Sequence, residues 1–351
     1  MKVARLALVL FSLSFLLNST VAAQSFQIIK VADGVYAAIG QNGVFCNGTF
    51  IVNQDEVVVV DTHLRPSWAK DLIAEIKKVT DKPVRYVINT HWHGDHTQGN
   101  QAYVGSFGSH VEYLAQHNTR DDIIHKAIPS IQESLTKDVP EGIARLEKSL
   151  ADGKDQQGNA LTDEQRKNLQ TQIAMQKAYL EELKTLQITL PTITFEKSLI
   201  LHRKAQNGSD RPIHIYFFGK GHTRGDVVVF LPKEKVVSTG DLLTNGIPFM
   251  RDSYPSHWAA TLEGVQKLDW TKVIPGHGGV QDGKDQIGKL IAFFKDLVAG
   301  VKDAIAKGQT EDDAVKSVDL SKHSNSFPNY RASSPGAVRR AFAELTGKIQ
   351  D

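Results

Sequence analysis

Residues 91–96 read His-Trp-His-Gly-Asp-His, placing four side chains able to ligate a metal within six positions. The run follows Val84–Ile88, a short apolar stretch of strand character. Before that, an amphipathic helical pattern over Ser67–Val79 is stopped by Pro83. So dense a cluster belongs in a loop at a strand end, where His91 and His93 point one way while Asp95 and His96 project towards a neighbouring position. Imidazole and carboxylate suit zinc, and a catalytic zinc takes three protein ligands and keeps one position open. The rest of the chain therefore has to fold so that further ligands arrive at this loop.

Three downstream segments supply them. Gly221-His222-Thr223 follows the β-rich run Ile213–Phe218, Asp241 follows Val236–Ser238, and His277 follows Lys272–Ile274. Singly, Asp241 reads as a turn or cap residue and His277 as a histidine among glycines. In this order, each at a strand end, they form a set with His91, His93, Asp95 and His96.

The surrounding pattern predicts an α/β fold. Short β-rich runs occupy Phe26–Val31, Val35–Ile39, Thr49–Val52 and Val57–Val60, and a second block resumes after Pro191 with Ile193–Phe195 and Leu199–Leu201. Two blocks of strands, each closed by helices, predict two sheets packed face to face with helices outside. Between them, about 111–190 is rich in Gln, Glu, Lys and Leu and poor in Gly, which predicts an inserted helical subdomain. Its clearest helix starts at Thr162, with Gln165 completing a capping box. Helices follow over about 285–351: one carries Ile287, Leu290, Ile291, Phe294 and Leu297 at helical spacing, and a last one is expected to begin at Ser334-Pro335.

The first residues carry Lys2 and Arg5, an apolar run over Leu6–Leu17 and the small residues Val21-Ala22-Ala23. That pattern predicts a signal peptide over 1–23, removed on export to the periplasm or extracellular space. The apolar run is shorter than the roughly 20 residues of a spanning helix, so no stable membrane anchor is expected after cleavage. Cleavage takes the formal net charge from +2 to zero. A neutral surface argues against nucleic acid and points to a small-molecule substrate. Cys46 is the only cysteine, so no internal disulfide forms. Nothing in the pattern sets an oligomeric state.

From about Val35 to Gly278, the insertion aside, the motif order resembles the metallo-β-lactamase superfamily; Val57-Val58-Val59-Val60-Asp61-Thr62 is similar to that family's early strand and aspartate. The resemblance implies an αβ/βα sandwich with two zinc ions at one edge. It assigns His91, His93 and His222 to the first metal and Asp95, His96 and His277 to the second, with Asp241 bridging. It also implies a hydrolase in which water, activated to hydroxide between the metals, attacks a lactone, ester or related carbonyl centre, with Asp95 orienting the nucleophile and carrying a proton. Asp61 is expected to hold a histidine ligand or the loop.

Within that family, an Asp at 241 resembles the lactonase, thioesterase and phosphodiesterase branches, whereas dedicated β-lactamases usually carry Cys or Ser there. One large lactamase group has a lysine three positions later, where this chain has Thr244. Hydrolysis of β-lactams is therefore the alternative, with Lys220 or Arg224 as the candidate drug-binding cation. Thioesterase action and a non-catalytic metal-binding role rank lower. An oxidoreductase of the diiron flavoprotein kind is disfavoured by His93 and by the lack of a flavin-binding extension. Trp92, Phe249, Tyr254 and Trp258 are candidate apolar walls, and His63 and His257 are candidates to approach the cleft. His110, His117, His125, His202, His214 and His323 are read as surface or core residues.

Overall fold

The computed structural model describes residues 25–349 other than 156; the signal-peptide reading of 1–23 lies outside these residues. Among these residues, thirteen strands form two sheets. The first runs in spatial order β1 (Phe26–Ala32), β2 (Val35–Gly40), β3 (Gly48–Val52), β4 (Val57–Val60), β5 (Val84–Ile88), β6 (Glu112–Gln116) and β7 (Ile193–Phe195). The second holds β8 (Ser198–Lys204), β9 (Asp210–Tyr216), β10 (Val228–Leu231), β11 (Val236–Thr244), β12 (Lys272–His277) and β13 (Gln281–Asp282), with β8 and β13 at its edges. The α/β sandwich expected from the sequence is thus present. β4, β5 and β6 run parallel, as do β11 and β12, so the loops at their C-terminal ends gather at one edge.

Residue alternation explains the layering. Val58 and Val60 of β4 face Ile213, Val229 and Ile274 across the sandwich, while Val57 and Val59 face outwards. That outer face is covered by α1 (Pro66–Val79), whose Leu72, Ile73 and Ile76 pack on it, and by α3 (Asn100–Phe107) beyond the short α2 (Gly94–Thr97). With both faces covered, a strand of four valines has no polar side. On the other outer face, Val228, Phe230 and Val237 meet Trp258 of α8 (Pro255–Gln266) and Leu290, Phe294 and Leu297 of α9 (Asp285–Ala306). α10 (Glu311–Ser317) and α11 (Tyr330–Leu345) pack on α9.

The insertion comprises α4 (His117–Asp122), a π-helical turn over Ile123–Ala127, α5 (Ile128–Glu133), a second π turn over Ser134–Asp138, α6 (Val139–Asp152) and α7 (Asp163–Lys184). The capping box is formed, Thr162 accepting from Gln165 N–H while the Gln165 side chain accepts from Thr162 N–H. Glu182 ties α7 to the start of α1 by accepting from Ser67 N–H and from Arg65.

Two expectations are corrected. The helical stretch begins at His117, because Tyr113, Leu114 and Ala115 are buried as strand β6 of the first sheet. The last helix begins at Tyr330, and Pro335 lies inside it. Buried Ala337, Val338, Ala341 and Phe342 anchor that helix, so packing overrides the local start signal.

Candidate metal centre

The predicted ligands arrive on four separate segments. His91 to His96 follow β5; Asp241 lies inside β11, one residue beyond a register shift at Gly240; His277 ends β12; His222 sits in the loop from β9 to β10. Gly240 has φ +49°, and a Cβ there would collide with Thr90 Oγ1; a Cβ on Gly276 would strike Asp241 Oδ1. The glycines beside the ligands therefore let three backbone segments close on one point.

Three groups result: His91 with His93 and His222; His91 with His96 and Asp241; Asp95 with His96 and His277. All seven predicted ligands are brought together. His93 Nδ1 and His222 Nε2 face each other at 2.9 Å. Asp241 reaches both sides, Oδ2 lying 3.4 Å from His222 Nε2 and 3.2 Å from His277 Nε2, and Oδ1 3.4 Å from His96 Nε2. Asp95 Oδ2 lies 3.4 Å from both His96 Nε2 and His277 Nε2.

The fit to cations rests on atoms left without protein partners. His91 Nε2, His96 Nε2 and Asp241 Oδ1 are buried with no hydrogen-bond partner, and all three turn into the cluster. Burying polar atoms unpaired is costly, and a metal ion satisfies them together.

Electrostatics agree. Burial opposes ionisation of Asp95, yet the His96 and His277 imidazoles overcome it and hold the carboxyl well below the usual range. Asp241 is held low in the same way by His277 and His96. Burial alone would lower His277, but Asp241 and Asp95 raise it to about 10. The two carboxylates thus demand positive charge at this point. His91 and His222 are lowered, chiefly by burial, and stay in the neutral form that binds metal.

The far sides of His96, His93 and His277 are also held. Asp61 Oδ2 lies 2.8 Å from His96 Nδ1, and the same carboxylate accepts from Thr90 N–H and Oγ1–H, matching the role expected of it. Asp61 reaches there through a left-handed backbone, φ 62°, as does His63 at 71°; such positions cost about 1–3 kcal/mol for a non-glycine residue. Asp252 faces His93 Nε2 at 3.0 Å, and the carbonyl of Phe45 faces His277 Nδ1 at 2.8 Å. Neither Asp252 nor Phe45 stood out in the sequence.

Above the cluster lies a cavity of about 360 Å³ lined by Phe45, Trp92, Asp95, Asp241, Phe249, Arg251 and His277, and by Ala127, Ser130, Ile131, Ser134 and Tyr179 of the insertion. The insertion is a wall of the site. A larger groove of about 1220 Å³ borders α6 and α7 and touches no ligand. Of the four aromatic candidates, Trp92 and Phe249 line the cavity. Tyr254 and Trp258 are buried elsewhere, Trp258 packing on Phe294. His63 lies beneath the ligand loop against Cys46, and His257 is exposed outside the cavity. Arg224 is turned away, pairing with Asp121 and Asp122 of α4, and Lys220 lies over the Tyr254 ring. Arg251 lines the cavity instead, 3.4 Å from Asp252.

A two-sheet sandwich with helices on both faces and a His/Asp cluster at one edge defines a metal-binding protein of the metallo-β-lactamase fold class. The sequence profile of the "Metallo-beta-lactamase superfamily" matches residues 42–117. The chain is 25% identical over 309 residues to a linear primary-alkylsulfatase from Pseudomonas sp., covering 82% of this chain and 53% of that protein. A type 2 metallo-beta-lactamase from Elizabethkingia meningoseptica is 35% identical over 78 residues, covering 20% of this chain and 30% of the lactamase. The solved structure of a double mutant of the sec-alkyl sulfatase PisA1 superposes with a TM-score of 0.65 at 15% identity, covering 92% of this chain and 51% of that one. The chain thus carries the metallo-beta-lactamase superfamily pattern over residues 42–117, within a fold similar to that of solved metallo-beta-lactamases. It spans about half the length of the alkylsulfatase that it matches.

Proposed function

We propose that the chain is a dinuclear, zinc-dependent hydrolase of small esters that carry an apolar group, with sulfate esters of aliphatic alcohols as its foremost substrates and carboxylic esters and lactones next. The observation that carries this reading is the cavity: apolar Phe45, Trp92, Ile131 and Phe249 surround Asp95, Asp241 and His277, with a single arginine among its lining residues. Apolar walls with a few convergent polar groups suit an amphiphilic small molecule. The alkylsulfatase alignment supports the sulfate-ester preference, at 25% identity over 82% of the chain against 22% over 74% for the type 2 metallo-beta-lactamase of Bacteroides fragilis.

Bound in the cluster, two cations would supply Lewis acidity and lower the pKa of a water. His91, His93 and His222 would hold one; Asp95, His96 and His277 the other; Asp241 would contact both. Asp95 orients the attacking water and passes a proton to the leaving alcohol. Arg251 pairs with the anionic end of the substrate, while Phe45, Trp92 and Phe249 exclude solvent from the alkyl group. Export, as read from residues 1–23, would bring the enzyme to substrates outside the cytoplasm.

Steady-state kinetics of zinc-loaded protein on an alkyl sulfate, an acyl lactone and a chromogenic cephalosporin test this. The expected order of kcat/KM is sulfate, then lactone, then cephalosporin. A cephalosporin value well above both esters would replace this reading with β-lactam hydrolysis.

A further inference from the structure

We infer that Phe45-Cys46-Asn47, in the turn between β2 and β3, forms a bracket that positions the ligands of the second metal selectively. The inference rests on the two-metal reading above. The three residues take hold of the two segments that carry Asp95 and His277. The Phe45 carbonyl faces His277 Nδ1 at 2.8 Å, which leaves Nε2 directed at the cluster. Asn47 clamps the turn on both sides of His277: its Nδ2 donates to the carbonyls of Pro275 at 2.9 Å and Gly278 at 2.7 Å, and its backbone N–H donates to Gly276 at 2.8 Å. Cys46 Sγ lies 3.0 Å from the Asp95 carbonyl and 3.0 Å from His63 Nδ1, so the thiol donates to the backbone of Asp95 while the buried His63 ring backs it.

The first metal's ligands are oriented from elsewhere. His91 Nδ1 faces Thr90 Oγ1, and His93 Nε2 faces Asp252. Thr90 and Asp61 link His91 to His96, but the bracket at Asp95 and His277 and the Asp252 support of His93 are separate, and residues that orient metal ligands typically set about 10–100-fold in metal affinity. Asn47 suits its place because an amide offers two donors to two carbonyls; alanine would leave Pro275 and Gly278 without them.

The test is stepwise titration of the full chain with zinc against a competing chelator, with nitrogen-15 histidine spectra assigning each equivalent to its triad. Wild type is expected to bind two equivalents. Asn47→Ala and Cys46→Ala are each expected to keep the equivalent at His91, His93 and His222 and to weaken the other by about 10–100-fold. Cys46→Ser, which keeps a donor, is expected to recover part of that loss, and Asp252→Ala to reverse the pattern. Should Asn47→Ala fail to fold, the two Cys46 variants decide alone. Equal weakening of both equivalents in the bracket variants, or no weakening, overturns the bracket. A single equivalent on wild type overturns the two-metal reading itself, and the bracket with it.

Discussion

Asp252 Oδ2 sits 3.0 Å from His93 Nε2, so the other ring nitrogen, Nδ1, is the one turned towards His222 Nε2 at 2.9 Å. The carboxylate thereby selects which nitrogen can bind a metal. Burial opposes the charge on Asp252, yet His93 holds its pKa down to about 2, so it stays ionised throughout the working range. Asp252→Asn keeps the shape and removes the charge. It is expected to lower kcat by about 10–100-fold, with KM little changed. An equal loss of kcat in a variant at exposed His257 would show that the effect is not specific to His93.

Arg251 is an arginine in the cavity lining; it lies 3.4 Å from Asp252, and its side chain is 69% exposed. A charge-assisted contact contributes about 1.5–3 kcal/mol when sheltered, and exposure with salt screening brings this towards the lower end. Arg251→Ala is expected to raise KM for an anionic ester about ten-fold at low ionic strength, and to leave KM for a neutral lactone unchanged. A parallel rise for both substrates would remove the proposed anion contact.

Asp226 is buried behind His222, where it accepts from Thr223 N–H and Thr223 Oγ1–H. Burial raises its pKa to about 7, with the Thr223 hydrogen bonds only partly offsetting it. The folded state thus binds a proton more readily than the unfolded state, whose aspartate titrates near 3.9. Stability from this group is fully present below about pH 4 and is lost as pH rises through about 7. Asp226→Asn is isosteric and removes that dependence. In urea unfolding with chelator present, wild type should therefore lose stability relative to Asp226→Asn between pH 5 and 7.5. Parallel curves would contradict it.

The ligand set was legible because it is written in local order: His91, His93, Asp95 and His96 are packed into one turn, and His222, Asp241 and His277 each follow a β-rich run. The sandwich was legible because Val57–Val60 and the strand blocks announce covered sheets. What escaped depends on where loops return. Asp252 carries no pattern beside His93, 159 positions away. Asn47 looks like an ordinary turn residue until β12 is brought 228 positions back to it. Arg224 stands two positions from His222 in sequence, yet it turns to Asp121 and Asp122, whereas Arg251, far from any ligand in sequence, lines the cavity. Strand β6 was hidden in a polar, helix-like composition, and its sheet partners decide its conformation.

Asp241 is placed to join two metal positions, since its oxygens face His222 on one side and His96 and His277 on the other. Native mass spectrometry of protein equilibrated with zinc measures this directly. Wild type should carry two zinc ions per chain, and Asp241→Ala one or fewer, with hydrolysis falling by at least about 100-fold. A wild-type protein that holds a single zinc, unchanged by excess metal, would contradict a dinuclear centre bridged by Asp241.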